Sequence, residues 1–159
     1  DGQGDKRRVT RHGRLSCRSA GATGNFLRSK DAIGANLDRI QIIKGWVDAK
    51  GEPQDKVIDV VWSGERKPGK NGKLPAVGNT VDLQKPTYTN AIGSPELMGS
   101  WVDPAFDPKQ HAIYYVRVLE IPTPRFTTYD AVRNNLPLLK DVPATLQERA
   151  WTSPIWINP

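Results

Sequence analysis

The sequence predicts a mostly β domain, an antiparallel β-sandwich-like fold with one or two short helices and long Gly/Pro loops. The first observation is that thirteen prolines and fourteen glycines are spread over 159 residues and interrupt most stretches long enough for a helix. The second is that the apolar runs between them are short and rich in Val, Ile and aromatic residues, which favour strands. A chain of this length can bury roughly two thirds of its unfolded surface in a single core.

The first two predicted strands are residues 37–47 and 57–62, which are rich in Ile and Val. The segment "DAKGEPQD" lies between them and contributes Gly51 and Pro53 as turn residues. Two β-type runs around a short Gly/Pro loop predict an antiparallel hairpin.

The segment "SGERKPGKNGKLPAVGNT" carries no periodicity and predicts a long surface loop. Three short apolar pieces after it, residues 81–83, 88–92 and 97–102, are predicted as short strands. "DPAFDPKQHA" contains two Asp-Pro pairs, which favour turns. The run "AIYYVRVLEI", residues 112–121, is the strongest strand candidate in the chain and the predicted centre of a sheet.

The segment "EIPTPRFTTYDA" follows that strand, and Pro122 and Pro124 predict its end because proline cannot donate to a sheet ladder. Thr127 and Asp130 have the spacing of a capping box, which predicts a helix start there. A helix is expected over residues 129–135, and a second helical turn over residues 144–150.

The same segment holds the candidate ligand-binding residues, which are Arg125, Tyr129 and Thr127. An arginine on a proline-stiffened loop is suited to a carboxylate or phosphate, because the loop has little entropy left to lose. A structural role is the alternative for Arg125, in which it pairs with Asp130, Glu120 or Glu148.

No catalytic residue is predicted, because the chain lacks a G-x-S-x-G motif, a P-loop and a G-x-G-x-x-G motif. His12 and His111 lie far apart in sequence, and Cys17 is the single cysteine, so no zinc-type spacing exists. Asp103 and Asp107 are weak candidates for a hard cation, because Asp-Pro pairs more often form turns. No cofactor is expected in this chain.

The net charge of +6 lies entirely in residues 1–30, which hold eight basic and two acidic side chains. A leading segment, residues 1–25, holds six of these eight basic side chains and is expected to be flexible, which leaves residues 26–159 as one mostly β domain. Such an arm can bind polyanions through counterion release. Nucleic acid is not the expected partner, because no aromatic residue precedes Phe26 to stack on bases. No apolar run reaches the roughly 18 residues that a membrane span needs.

Several longer motifs resemble the C-terminal end of a bacterial family catalogued as domain of unknown function 3604 (DUF3604). They are "GANLDRIQIIKGWVDAKGE", "KVIDVVWSG", "GKLPAVGNTVDL", "YTNAIGSPEL", "DPAFDP", "YYVRVLEIPTPRFTTYDA" and "QERAWTSPIW". The resemblance covers residues 26–159, whereas the first 25 residues resemble nothing familiar. The sequence departs from the family pattern at Phe126, where a tryptophan is usual, and at Ile157, near which a tyrosine is usual.

The resemblance implies a longer parent protein with an N-terminal region similar to the polymerase-and-histidinol-phosphatase (PHP) type of metal-dependent phosphoesterase. A divalent metal is then expected only in that region, and the parent is expected in the periplasm or outside the cell. The chain itself is expected to be an accessory portion that is inactive alone, with Arg125 facing the active cleft. Its partners would be the rest of the parent and, through an exposed sheet edge, another copy.

Two alternatives stay open. The chain is either a free-standing module for an anionic or carbohydrate ligand, which uses Arg125, Tyr129 and exposed tryptophans, or a polyanion-binding protein that acts through its basic arm. Of the five tryptophans, Trp46, Trp62 and Trp101 fall in predicted strands and are expected in the core.

Overall fold

The computed structural model describes residues 12–18, 21–30 and 32–159. Ten strands and one helix occur in this part of the chain. The strands are β1 (His12–Arg18), β2 (Gly21–Ser29), β3 (Leu37–Val47), β4 (Pro53–Trp62), β5 (Glu96–Val102), β6 (Ala112–Glu120), β7 (Thr123–Pro124), β8 (Thr145–Leu146), β9 (Arg149–Trp151) and β10 (Ile155–Ile157). The helix is α1 (Phe126–Arg133).

The strands form two main sheets in which every pairing is antiparallel. The first sheet has the order β1-β2-β5, and the second has the order β10-β6-β3-β4 with β9 also paired to β6. A small third sheet joins β7 to β8. The prediction of a mostly β, antiparallel domain is confirmed.

The predicted hairpin is confirmed as β3 and β4, which pair from Val47↔Pro53 to Arg39↔Trp62. The Asp48 side chain closes the turn, since its Oδ1 accepts the amides of Lys50 and Glu52 at 2.8 and 3.0 Å. Side chains that cap turns in this way explain why aspartate favours such positions.

The core lies between the two main sheets. Its buried members come from β3, β5 and β6, and they are Leu37, Ile40, Ile42, Leu97, Ala112, Tyr114, Val116 and Val118. Gly99 of β5 lies directly over Val61 of β4, so that a Cβ at Gly99 would overlap the Val61 side chain. The backbone of β5 therefore approaches the facing sheet as closely as glycine permits.

The strand β6 is central, because it lies between β3 on one side and β9 and β10 on the other. It ends at Glu120, which confirms that Pro122 and Pro124 end the strand. Pro124 nevertheless pairs with Thr145 in the two-residue strand β7, where an edge position spares it from donating a ladder hydrogen bond.

The capping-box prediction is wrong. The helix begins at Phe126, its N-cap residue is Arg125, and no side chain caps it. Thr128 instead donates from Oγ1 to the Ala144 carbonyl at 2.7 Å, and the Arg125 amide donates to the same carbonyl at 2.9 Å. These two hydrogen bonds to the Ala144 carbonyl hold the start of the helix at Phe126, so that Thr127 lies inside its first turn.

The helical turn predicted over residues 144–150 is also wrong, because these residues form β8 and most of β9. Val118↔Ala150 and Leu119↔Arg149 pair along the free side of β6, and this tertiary pairing overrides the helix propensity of "TLQERA".

Two of the short predicted strands, residues 81–83 and 88–92, are loop with a single bridge between Asp82 and Thr87. Side chains accept hydrogen bonds from backbone amides in this loop in place of a partner strand. The Asn79 side chain accepts from the Val81 amide, and the Asp82 side chain accepts from the Gln84 amide. The third piece is β5.

The basic leading segment, residues 1–25, lies partly outside the described residues, so its predicted flexibility stays a prediction. The boundary predicted at residue 25 lies inside β2, which pairs with β5 from Thr23↔Val102 to Ser29↔Glu96. Across the described ranges, the only helix spans eight residues, and none is long and apolar enough to cross a membrane.

Candidate functional site

A pocket of about 740 Å³ lies where β6 ends and α1 begins, and it is called the α1 pocket below. Its wall is built from the loop before β3, the end of β6, β7, α1 and the β8–β9 segment. The lining residues are Ser29, Lys30, Ile33, Gly34, Ala35, Leu37, Tyr88, Val118, Glu120, Thr123, Pro124, Phe126, Tyr129, Leu146, Glu148, Arg149 and Ala150. This volume is in the range that holds a small-molecule ligand.

Helical geometry decides which predicted residues reach the pocket. Phe126 and Tyr129 are three apart on α1 and therefore lie on one face, which lines the pocket. Thr127 is half-buried and turned away from that face, so it is not part of the wall. Of the three predicted ligand-binding residues, only Tyr129 is in the pocket.

Arg125 lies at the N-cap of α1 beside the pocket but does not line it. Its guanidinium carbon is 5.9 Å from the centroid of the Phe126 ring. Its Nε is buried without a hydrogen-bond partner, and the ion pairs found among the described residues do not include it. The predicted pairing with Asp130, Glu120 or Glu148 is therefore not seen. A buried donor left unpaired costs about 1–3 kcal/mol.

The polar wall includes Lys30, Tyr88, Glu120, Glu148 and Arg149. The sequence analysis named Glu120 and Glu148 only as possible partners of Arg125 and missed the other three. The five side chains come from four separate segments. Glu120, Glu148 and Arg149 are brought together when β9 pairs with β6 and the Glu120 amide donates to the Glu148 carbonyl at 3.0 Å. No local pattern in the sequence signals this pairing.

Gln147 fixes the β8–β9 side of the pocket to the rest of the domain. Its Nε2 donates to Oδ2 of Asp38 at 3.0 Å and to the Glu120 carbonyl at 2.8 Å. Asp38 is 1% exposed and also accepts from Arg39 Nε at 3.0 Å and Arg66 Nη2 at 2.7 Å. This buried carboxylate therefore connects the pocket wall to β3 and to the long loop after β4.

Asp103 and Asp107, the weak metal candidates, are engaged in other contacts. Oδ2 of Asp103 accepts from Lys44 Nζ at 2.6 Å and from the Tyr114 hydroxyl at 2.7 Å, and its Oδ1 accepts the Ala105 amide at 2.9 Å. Oδ1 of the exposed Asp107 accepts the Lys109 amide at 2.8 Å and forms a turn.

These contacts set the charge of Asp103. Burial raises its pKa, but hydrogen bonds from Lys44, Tyr114 and the Ala105 amide outweigh burial and hold the pKa below its ordinary value. A cation would have to displace the Lys44 ammonium from this carboxylate. No group of three or more His, Cys, Asp or Glu side chains within residues 12–18, 21–30 and 32–159 is arranged to hold a metal. The described residues thus do not fit a metal centre.

The two packed sheets and the α1 pocket define a mostly β domain with a small-molecule-sized pocket of mixed polarity at one end. The chain belongs to the family described as Protein of unknown function (DUF3604), whose model matches residues 4–159. The match extends further towards the N-terminus than the resemblance at residues 26–159 and takes in most of the basic segment. Comparisons with curated proteins and with solved structures gave no match.

Proposed function

We propose that this chain is the C-terminal accessory part of a longer metal-dependent hydrolase of the DUF3604 family, in which the α1 pocket forms one wall of the ligand site. In this proposal the metal and the catalytic groups belong to the rest of the polypeptide, which resembles PHP-type phosphoesterases. The parent is further proposed to be a periplasmic or extracellular protein of bacteria, which cell fractionation would test.

The observation that supports the proposal most strongly is the composition of the α1 pocket. Tyr88, Phe126 and Tyr129 offer aromatic surface, and two acidic and two basic side chains lie on the same wall. The proline-stiffened segment before α1 keeps this wall in place. The Arg125 amide donates to the Ala144 carbonyl, and β7 pairs with β8 just before it. A rigid polar wall loses little entropy when a substrate binds.

The test compares the isolated chain with the longer polypeptide on chromogenic phosphomonoesters and phosphodiesters in the presence of Mn²⁺ or Zn²⁺. The isolated chain should show no turnover, and the longer polypeptide should be active. In the longer polypeptide, Tyr129→Ala should raise KM about tenfold with unchanged metal content, if the lost contacts amount to about 1.4 kcal/mol.

Trp156→Ala is the matched control, because Trp156 is an exposed aromatic outside the α1 pocket. It should leave both kcat and KM unchanged. Turnover by the isolated chain, or a Tyr129 variant with native kinetic constants, would contradict the proposal.

The second candidate is a binding module for a small anion, and the observation that favours it is the unpaired Nε of Arg125. A phosphate or carboxylate placed there would supply the missing acceptor in a charge-assisted hydrogen bond. Calorimetric titration of the chain with inorganic phosphate tests this idea. Arg125→Ala should abolish the binding without lowering the melting temperature, and a lowered melting temperature would indicate a structural arginine instead.

Self-association is proposed through β4, which is the outer strand of its sheet among the described strands. Its first half is exposed and carries Gln54, Asp55 and Lys56. An outer strand offers unpaired backbone N–H and C=O groups that can pair with the same strand of another copy. Light scattering over a range of protein concentrations measures whether a dimer forms.

A further inference from the structure

A second pocket, of about 510 Å³, lies at the opposite end of β3 from the α1 pocket, where β5 leads into the loop at residues 103–110. It is called the Lys44 pocket below. The residues that matter for its chemistry are Lys44, Trp46, Trp101, Asp103, Asp107 and Gln110.

The Lys44 ammonium is a buried cation in the wall of this pocket, and the residue is only 5% exposed. Its Nζ donates to Asp103 Oδ2 at 2.6 Å and to the Ala105 carbonyl at 2.9 Å. An ammonium group has three N–H donors, and hydrogen bonds to acceptors within the described residues use two of them. The third has no hydrogen-bond acceptor among the described residues, and the Trp46 and Tyr114 rings lie 5.4 and 5.5 Å from Nζ. This N–H can therefore donate to an oxygen atom of a bound molecule.

Two indole rings line the same pocket from facing sheets, Trp46 from β3 and Trp101 from β5. Both are half-buried, so part of each side chain stays accessible in the pocket that they line. Lys44 Nζ lies 5.4 Å from the centroid of the Trp46 ring, which places the polar donor next to a flat apolar surface. A ligand that suits this arrangement has an apolar face and hydroxyl groups at its rim.

The charges of the pocket balance. Lys56 is the cross-strand neighbour of Lys44 and lines the pocket, so two cations lie side by side on β3 and β4. Asp103 and Asp107 supply two negative charges in the same lining. With no net charge, the lining gives no overall attraction for an anion or a cation, which is compatible with an uncharged polar molecule.

We propose that the Lys44 pocket binds a carbohydrate through an uncharged sugar ring that stacks on Trp46 and Trp101. Its hydroxyl groups accept the third N–H of Lys44 and donate to the Gln110 amide oxygen. This site is separate from the α1 pocket and does not depend on the function proposed for that pocket.

The test is calorimetric titration of the full chain with glucose, N-acetylglucosamine, maltose and cellobiose, with tryptophan fluorescence as a second signal. Glucuronate and inorganic phosphate serve as charged comparisons. The expected result is saturable binding of at least one neutral sugar with a change in tryptophan emission. Binding of the charged compounds alone, or no saturable binding of any neutral sugar, would overturn the proposal.

Variants locate the binding. Trp46→Ala should weaken the affinity at least about tenfold, whereas Trp156→Ala outside the pocket should leave it within about twofold. Gln110→Ala is a milder variant, since Gln110 lies in the loop and its side chain donates only to the Val47 carbonyl among the described residues. It should weaken binding about threefold and keeps the test decisive if Trp46→Ala does not fold.

A Tyr129→Ala variant distinguishes the two pockets. If the sugar binds in the Lys44 pocket, this change leaves the affinity as it is in the native chain. Loss of sugar binding in the Tyr129 variant together with native affinity in the Trp46 variant would assign the sugar to the α1 pocket and refute the inference.

Discussion

The Lys44 ammonium lies 2.6 Å from Oδ2 of Asp103, and side-chain exposure is only 7% for the lysine and 4% for the aspartate. The two residues are 59 positions apart in sequence and connect β3 to the loop after β5. The Tyr114 hydroxyl donates to the same carboxylate oxygen. This pair neutralises a cation on the face of β3 that otherwise carries the apolar core.

Removing the carboxylate should be strongly destabilising. Asp103→Ala should lower the free energy of unfolding by about 3–5 kcal/mol, because it leaves the Lys44 ammonium buried without a counter-charge. The double variant Lys44→Met with Asp103→Leu should regain most of that loss, since neither side chain is then charged. Urea unfolding followed by circular dichroism measures both. A double variant as unstable as Asp103→Ala would contradict this explanation.

The same carboxylate should make stability depend on pH in the acid range. Its pKa in the folded protein lies below the unfolded value of about 3.9, so the folded state favours the ionised form. The stabilisation is complete above about pH 5 and declines as the pH falls through about 4 towards the folded pKa. Asp103→Asn should flatten the decrease in unfolding free energy between pH 5 and pH 2. Equal pH slopes in the native protein and the variant would exclude Asp103 as a source.

Thr128 and Thr127 should differ sharply although they are adjacent. Thr128 is 1% exposed and donates to the Ala144 carbonyl, so Thr128→Val should cost about 1 kcal/mol of stability. The half-buried Thr127 is not the N-cap residue, and Thr127→Val should stay within about 0.5 kcal/mol of the native protein. Thermal unfolding of both variants checks this. The reverse order of effects would restore the capping-box interpretation.

Gly99 should tolerate no side chain. Gly99→Ala places a methyl group against Val61 across the sandwich and should cost about 1–3 kcal/mol. Ser100→Ala, at the neighbouring exposed position, is the matched control and should have little effect. A neutral Gly99→Ala variant, measured by chemical unfolding, would mean that β5 can move away from β4 without loss.

Polyanion binding by the basic segment should be tested with a deletion that stops at residue 11. A deletion of residues 1–25 would remove β1 and part of β2, and with them a pairing partner of β5. If the basic segment binds polyanions, the deletion of residues 1–11 should abolish binding to heparin. Heparin binding by the native chain should also fall steeply between 50 and 200 mM salt, because counterion release drives it. Binding that survives this deletion would have to come from residues 12–159.

Local patterns in the sequence were sufficient for the hairpin and the central strand. The runs at residues 37–47 and 112–121 are β-branched and aromatic, and Gly51 and Pro53 mark a turn. These signals depend on neighbouring residues alone, which explains why β3 and β6 match the predicted strands closely. The strand β4 begins at Pro53 rather than at residue 57, because it pairs with β3 as far as Val47. Tyr129 lines the α1 pocket, and its role in ligand binding stays a prediction.

Tertiary contacts decided the remainder. The segment "TLQERA" has local helix propensity, yet it forms strands because the free side of β6 offers backbone partners. Glu148 and Arg149 enter the α1 pocket only through that pairing. The sequence analysis assigns no role to Lys44, whose partner Asp103 is brought to it from the loop after β5. The sequence by itself therefore determined a mostly β domain with a Gly/Pro-rich loop system, and the tertiary structure determined both pockets, because their walls consist of residues that meet only across strands and sheets.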